Sequence, residues 1–208
     1  MMKRILAIFF LTAFFLPVWG GILDDNKISA GEYVGSLTWR TYDPPLVVDG
    51  GGALEISLRD NSRLIVESTS KPLDMLGGTG VYDILLGNNS QLLYLDGVTQ
   101  LIAMNGDAIA DLKGGSINYI KSMQYTNMTG ADPHINIYCL PGHSWINGDP
   151  LKGIQGQWWD GSPFRIEFIN HAEFDPAWTN VNFIYPEPAT LVLLAAGGLL
   201  LRRRKAEL

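Results

Sequence analysis

A single cysteine, Cys139, stands in a chain of 208 residues, so no internal disulfide is available. Stability must come from packing and backbone hydrogen bonds. Basic residues are scarce in the body, where nine face 19 acidic ones between positions 21 and 185. That balance gives no electrostatic footprint for nucleic acid, which is excluded as a partner. Phosphate loops, His-Glu-x-x-His and Gly-x-Ser-x-Gly are absent from the sequence, so the commonest signatures of nucleotide, zinc-protease and serine-hydrolase chemistry are missing. Long apolar runs are missing from the body too and occur only at the two ends.

The first end carries Lys3 and Arg4, the apolar run Ile5 to Val18, and then Trp19-Gly20-Gly21 before a polar Asp24-Asp25-Asn26. A basic start, a short apolar stretch and small residues beyond Pro17 compose a secretory signal peptide over 1–20, with cleavage between Gly20 and Gly21. The run is too short to span a bilayer comfortably. Its partners are the Sec-type export machinery and signal peptidase.

The other end reads Tyr185-Pro186-Glu187-Pro188, then the apolar segment Ala189 to Leu201, then Arg202, Arg203, Arg204 and Lys205. Pro188 suits a helix start because its missing N–H would have no partner there. The apolar segment makes about 20 Å of helix, and the basic cluster would stay cytoplasmic, leaving the body outside. This three-part tail resembles the PEP-CTERM sorting signal. The resemblance implies that Pro186, Glu187 and Pro188 are the recognition tripeptide, that Arg202 to Lys205 are the basic stop, and that exosortase processes the tail. It also implies an inner-membrane intermediate, followed by delivery to the cell surface or extracellular matrix. The signal covers residues 186–208 and is silent about the activity of the domain in front of it.

In the body, Gly52 to Leu64 aligns without gaps on Gly80 to Leu92, at an offset of 28, with six of thirteen pairs identical. A second echo relates Asp96 to Leu101 with Gly114 to Ile120 at a spacing near 19, and Asn105 to Ile109 repeats the Asn/Asp corner between them. A unit of two short strands and two polar corners cannot bury its apolar side alone, whereas stacked copies can. The predicted fold is all-β: a short parallel β-helix or β-solenoid over 47–121, after a lead-in at 21–46. Ile56, Leu58, Leu64, Ile84, Leu86 and Leu92 point inward. The alternative is a β-sandwich, because the two periods are unequal. These repeats resemble those of planctomycete-type surface proteins bearing the same tag. Alternation at His134 to Tyr138, Phe164 to Phe168 and Val181 to Ile184 predicts an antiparallel β module over 122–185, with a turn at Asp160-Gly161.

Candidate chemistry in this body is sparse. His134, His143 and His171 are dispersed, and Gly77 to Leu85 approximates a calcium repeat with its acid, Asp83, one position late. No metal, cofactor or catalytic residue is assigned. Glu167, Glu173 and Asp175 would serve a glycosidase only if two of them flanked one bond. Trp158 and Trp159 are the candidate carbohydrate contacts, although adjacent residues on a strand face opposite sides, so one of them belongs to the core. The expected function is that of an exported, non-enzymatic surface or matrix protein. The alternative is a carbohydrate-binding or polysaccharide-active protein using the same tag, with extracellular polysaccharide as partner.

Overall fold

The computed structural model describes residues 25–69, 80–126 and 131–187. The signal-peptide residues, including Gly20 and Gly21, lie outside the described residues. So do Pro188, the expected transmembrane helix and Arg202 to Lys205. No helix among the described residues is long and apolar enough to cross a membrane.

Among the described residues, fifteen strands follow one another with almost no helix. The first eight are β1 (Lys27–Ser29), β2 (Tyr33–Trp39), β3 (Leu46–Asp49), β4 (Gly52–Leu58), β5 (Arg63–Ser68), β6 (Gly80–Leu86), β7 (Gln91–Tyr94) and β8 (Val98–Met104). The rest are β9 (Ile109–Leu112), β10 (Ser116–Ser122), β11 (His134–Tyr138), β12 (Ser144–Trp145), β13 (Gly153–Gln157), β14 (Pro163–Ile169) and β15 (Val181–Ile184). Successive strands alternate between two sheets through β11. The first sheet runs β1-β3-β5-β7-β9-β11-β15 and the second runs β12-β13-β14-β10-β8-β6-β4-β2. Each coil therefore contributes one strand to each sheet. Every pairing in the first sheet is parallel, as are the second-sheet pairings from β2 to β14. That separates the arrangement from an antiparallel sandwich.

The register reproduces the internal alignment residue for residue. Gly52 lies beside Gly80, Ile56 beside Ile84, Leu58 beside Leu86 and Leu64 beside Leu92. The second echo falls at 18 rather than near 19, since Val98 pairs with Ser116. The same step of 18 relates β3 to β5, β6 to β8 and β7 to β9. The step of 28 is thus the ordinary coil enlarged between Thr69 and Gly80, across residues 70–79. Unequal periods are what ten extra residues between two strands produce, and lengthening a connection carries a modest entropic cost.

All six residues expected to point inward are buried at 0–2% exposure. They belong to columns running through the coils: Ile56, Ile84, Ile102, Ile120 and Phe168 in the second sheet, and Leu46, Leu64, Leu92, Ala110 and Ile135 in the first. Burying one aliphatic side chain of this size is worth about 1.5–3 kcal/mol. One corner has the same backbone solution in three successive coils: Asp60, Asn88 and Gly106 all adopt positive φ, the conformation that Gly, Asn and Asp tolerate best.

The expected antiparallel module at 122–185 is confined to β12, β13 and β14, where β13 pairs antiparallel with both neighbours. β11 and β15 instead extend the first sheet in parallel, and β14 lies parallel to β10. Alternation marks a strand without naming its partner, and the one turn signal, Asp160-Gly161, specifies only the hairpin it closes. The hairpin between β13 and β14 is closed by Trp158 to Ser162, where the Trp158 and Gly161 amides donate to the Ser162 and Trp158 carbonyls, both at 2.9 Å. Upstream and downstream of that excursion, the coil register is resumed.

Replacing Ile84 by Asp buries an unpaired charge between two ladders and is expected to abolish cooperative unfolding. Ile84→Val should cost about 0.5–1.5 kcal/mol, whereas Leu95→Asp, at an exposed corner, should fold. Urea titrations followed by far-UV circular dichroism check all three, and a stable Ile84→Asp protein would contradict the inward column.

Candidate functional site

The outer surface of the first sheet supplies the most organised polar and aromatic array. On β9, Ala110 and Leu112 point inward, so Asp111 faces out; on β11, Ile135 and Ile137 are buried and leave Asn136 and Tyr138 outside. Parallel register then places Asp111, Asn136 and Asn182 side by side across three strands. Asn136 donates from Nδ2 to Asp111 Oδ1 at 2.9 Å, and Asn182 donates to Asn136 Oδ1 at 3.4 Å.

A second row lies beside the first. The Lys113 ammonium sits 4.6 Å from the Tyr138 ring centroid, a cation–π contact. Tyr138 meets Trp159 edge-on, with centroids 5.2 Å apart and planes at 75°. The Trp159 Nε1–H donates to the Ile184 carbonyl at 3.0 Å, and the Cys139 amide donates to the same oxygen at 3.1 Å. The indole is therefore tied to the end of β15, yet Trp159 keeps 38% of its surface exposed. Burial and the neighbouring Asp111 carboxylate push the Tyr138 phenol above its ordinary range. Along the same sheet, Arg63, Gln91, Leu93, Ile109, Asp111 and Lys113 line a shallow groove of about 290 Å³ that leads toward Tyr138. A larger cleft of about 410 Å³ is bordered, among the described residues, by the uncharged Asn88, Asn105, Gly106, Met123, Gln124, Tyr125 and Ala131.

The two candidate tryptophans divide into one core and one exposed residue as expected, but they do so in the hairpin turn after β13 rather than on a strand. Trp158 is 1% exposed, packs against Phe164 in a tilted arrangement with centroids 4.4 Å apart and donates from Nε1 to the Gly115 carbonyl at 3.0 Å. It plugs the core and presents no face to a ligand, which removes it from the candidate contacts. Trp159 remains. Pro186 is buried and Glu187 exposed just beyond β15.

The histidines have separate surroundings. His143 stacks on Phe183 at 3.8 Å and lies 3.2 Å from the Tyr185 hydroxyl; His171 lies edge-on to Phe174; His134 opens β11 in an exposed position. Among the described residues, no group of three or more His, Cys, Asp or Glu side chains is placed to hold a metal ion. Asp83 lies within β6, while most of the glycine-rich approach to it is outside the described residues. Glu167 is engaged by Arg165 at 3.1 Å. Cys139 is fully buried, and burial pushes its thiol up, away from the reactive thiolate.

One pairing was present in the repeat but unread. Glu55 and Asp83 occupy equivalent positions, so the parallel register sets two carboxylates side by side on the outer surface of the second sheet. Ser57 Oγ donates to Glu55 at 3.2 Å. Burial first, then the Glu55 charge, raises the Asp83 pKa. By contrast, no sequence signal marked Asp111, Asn136 and Tyr138 as neighbours, because the step from β9 to β11 matches neither of the spacings that the repeat displays.

Family models, curated proteins and solved structures offer no match to this chain. Chemistry must be argued from the side chains themselves.

A folded-state Asp83 pKa above the unfolded value means that the native state holds this proton more tightly than the unfolded chain. The contribution is full below the unfolded value and is lost as pH rises through the folded one. Asp83→Asn should therefore raise stability at neutral pH, and the gain should vanish as the solution is acidified below the ordinary carboxylate range. Urea midpoints of both proteins between pH 3 and 7 measure this, and a pH-independent difference would assign the effect to packing.

Proposed function

We propose that the chain is an exported, non-enzymatic cell-surface or extracellular-matrix protein, sorted through a PEP-CTERM tag by exosortase. Its body would be a short β-solenoid that serves as the delivered cargo. The carrying observation is where the ladder stops: β15 ends at Ile184, immediately before Tyr185-Pro186. All the strands among the described residues precede the tripeptide. Pro186 cannot donate a ladder hydrogen bond, and Glu187 is exposed beside it. The basic Lys3-Arg4 start, the apolar run after it and the terminal Arg202 to Lys205 cluster support a topology in which the body is outside the cytoplasm.

Intact-mass analysis with cell fractionation tests this in a host that contains exosortase. The mature protein should lose the signal peptide and roughly 20 C-terminal residues, a length set by the short apolar helix and its basic stop, and should leave the inner membrane. Pro186→Ala with Pro188→Ala should accumulate a longer, membrane-bound species. A secreted protein still ending at Leu208 would overturn the reading.

A second reading, a carbohydrate-binding protein carried by the same tag, is favoured by one observation: Trp159 is exposed at the hairpin turn while its ring is held by Ile184 and Tyr138.

A further inference from the structure

We propose that the outer face of the first sheet, from Lys113 through Tyr138 to Trp159, binds a neutral glycan chain. This deepens the carbohydrate-binding reading by naming the site and the ligand class.

The aromatic row is preorganised. The indole N–H of Trp159 is already spent on the Ile184 carbonyl and the ring meets Tyr138 edge-on, so little rotamer freedom remains to be lost on binding. With its N–H spent, the ring surface that Trp159 keeps exposed is apolar, which suits the C–H face of a pyranose. The row formed by Asp111, Asn136 and Asn182 runs alongside it. Each member is spaced from the next by one strand separation, about 4.8 Å. Asn182 spends a donor on Asn136 and Asn136 spends one on Asp111, while Asp111 also holds the Tyr138 hydroxyl, so the exposed Asn182 carbonyl oxygen is the acceptor left for a hydroxyl proton. An aromatic floor beside a fixed polar row is complementary to a ligand that has apolar ring faces and hydroxyl edges.

Charge selects among such ligands. With 19 acidic and nine basic residues between positions 21 and 185, the body repels polyanions. The nearest cation, Lys113, already lies over the Tyr138 ring. A neutral glycan meets neither obstacle.

The test uses the purified full chain, with cellulose, chitin, xylan and mannan as neutral probes and alginate as the polyanion. Retention by at least one neutral probe is expected, with alginate bound more weakly. Trp159→Ala should weaken that binding at least tenfold, Trp159→Phe should restore part of it, and Asn182→Ala should reduce it several-fold. Trp178→Ala, an exposed tryptophan elsewhere, should bind like the parent, and circular dichroism should be unchanged in all four. Failure to retain any neutral probe, preference for alginate, or unchanged binding by Trp159→Ala would each overturn the proposal. Because processing of the tail is read separately by mass, a bound glycan with an uncut tail would refute the sorting reading alone. A cut tail without glycan binding would refute this one alone.

Discussion

Parallel, in-register stacking of coils is the constraint on which the rest of the molecule depends. A parallel ladder places each residue beside its counterpart one coil away, so an inward position must in every coil be apolar or, like Thr99 donating to the Val81 carbonyl, have its polar atom satisfied within the ladder. The column Ile56, Ile84, Ile102, Ile120 satisfies that demand with one residue type. The same constraint acts on the corners. Arg40 pairs with Asp60 at 2.9 Å, Asn88 donates to Asp60 at 3.4 Å and Asn89 donates to Asn61 at 3.1 Å, so polar corners become hydrogen-bonded stacks of their own. Close approach adds a size limit: a Cβ on Gly114 would lie 2.2 Å from the Leu95 carbonyl oxygen. Only glycine fits there.

Legibility in the sequence follows the same logic. The stretch from Gly52 to Leu92 could be read because two consecutive coils share both strands and the corner between them, and stacking makes such positions alike. Inward-facing residues and the Asp160-Gly161 turn were legible for a second reason, that strand alternation and turn chemistry are local. The regular coil length itself was obscured, because residues 70–79 enlarge the very step that carries the clearest identity. After Ser122 the signal fails: the chain does not return beside Tyr119 until Glu167, and it makes a local hairpin on the way. Local alternation there is genuine, but it cannot reveal whether a strand will join its sequence neighbour or an earlier coil.

The two ends of the ladder are finished differently. At the far end, β13 and the two-residue β12 shorten the last edge of the second sheet, while Trp158 fills the core beneath the hairpin. At the near end, β2 presents seven residues with no charge and no proline, and Val34, Leu37 and Trp39 are only partly buried against the core. A long edge without protective residues is the usual place for pairing with another chain. Among the described residues, interior coils have a paired strand on both sides, whereas β4 is the strand that pairs with β2.

Outward positions escape the stacking constraint, and that freedom locates the candidate site. Along one row of the first sheet, Val47, Ile65 and Leu93 give way to Asp111, Asn136 and Asn182, with no change in the strand register that supports them. The inward column of the same sheet from Leu46 to Ile135 is apolar throughout, so the change from apolar to hydrogen-bonding outer surface is decoupled from the core. It occurs over the last three strands, where the β13–β14 hairpin also brings Trp159 against the carbonyl of Ile184. Neither half would suffice alone: the strands provide a flat, regularly spaced polar row, and the excursion that breaks the repeat provides the fixed aromatic ring. The stretch in which repeat reading fails is therefore also the stretch that turns a uniform ladder into a surface with one distinctive face.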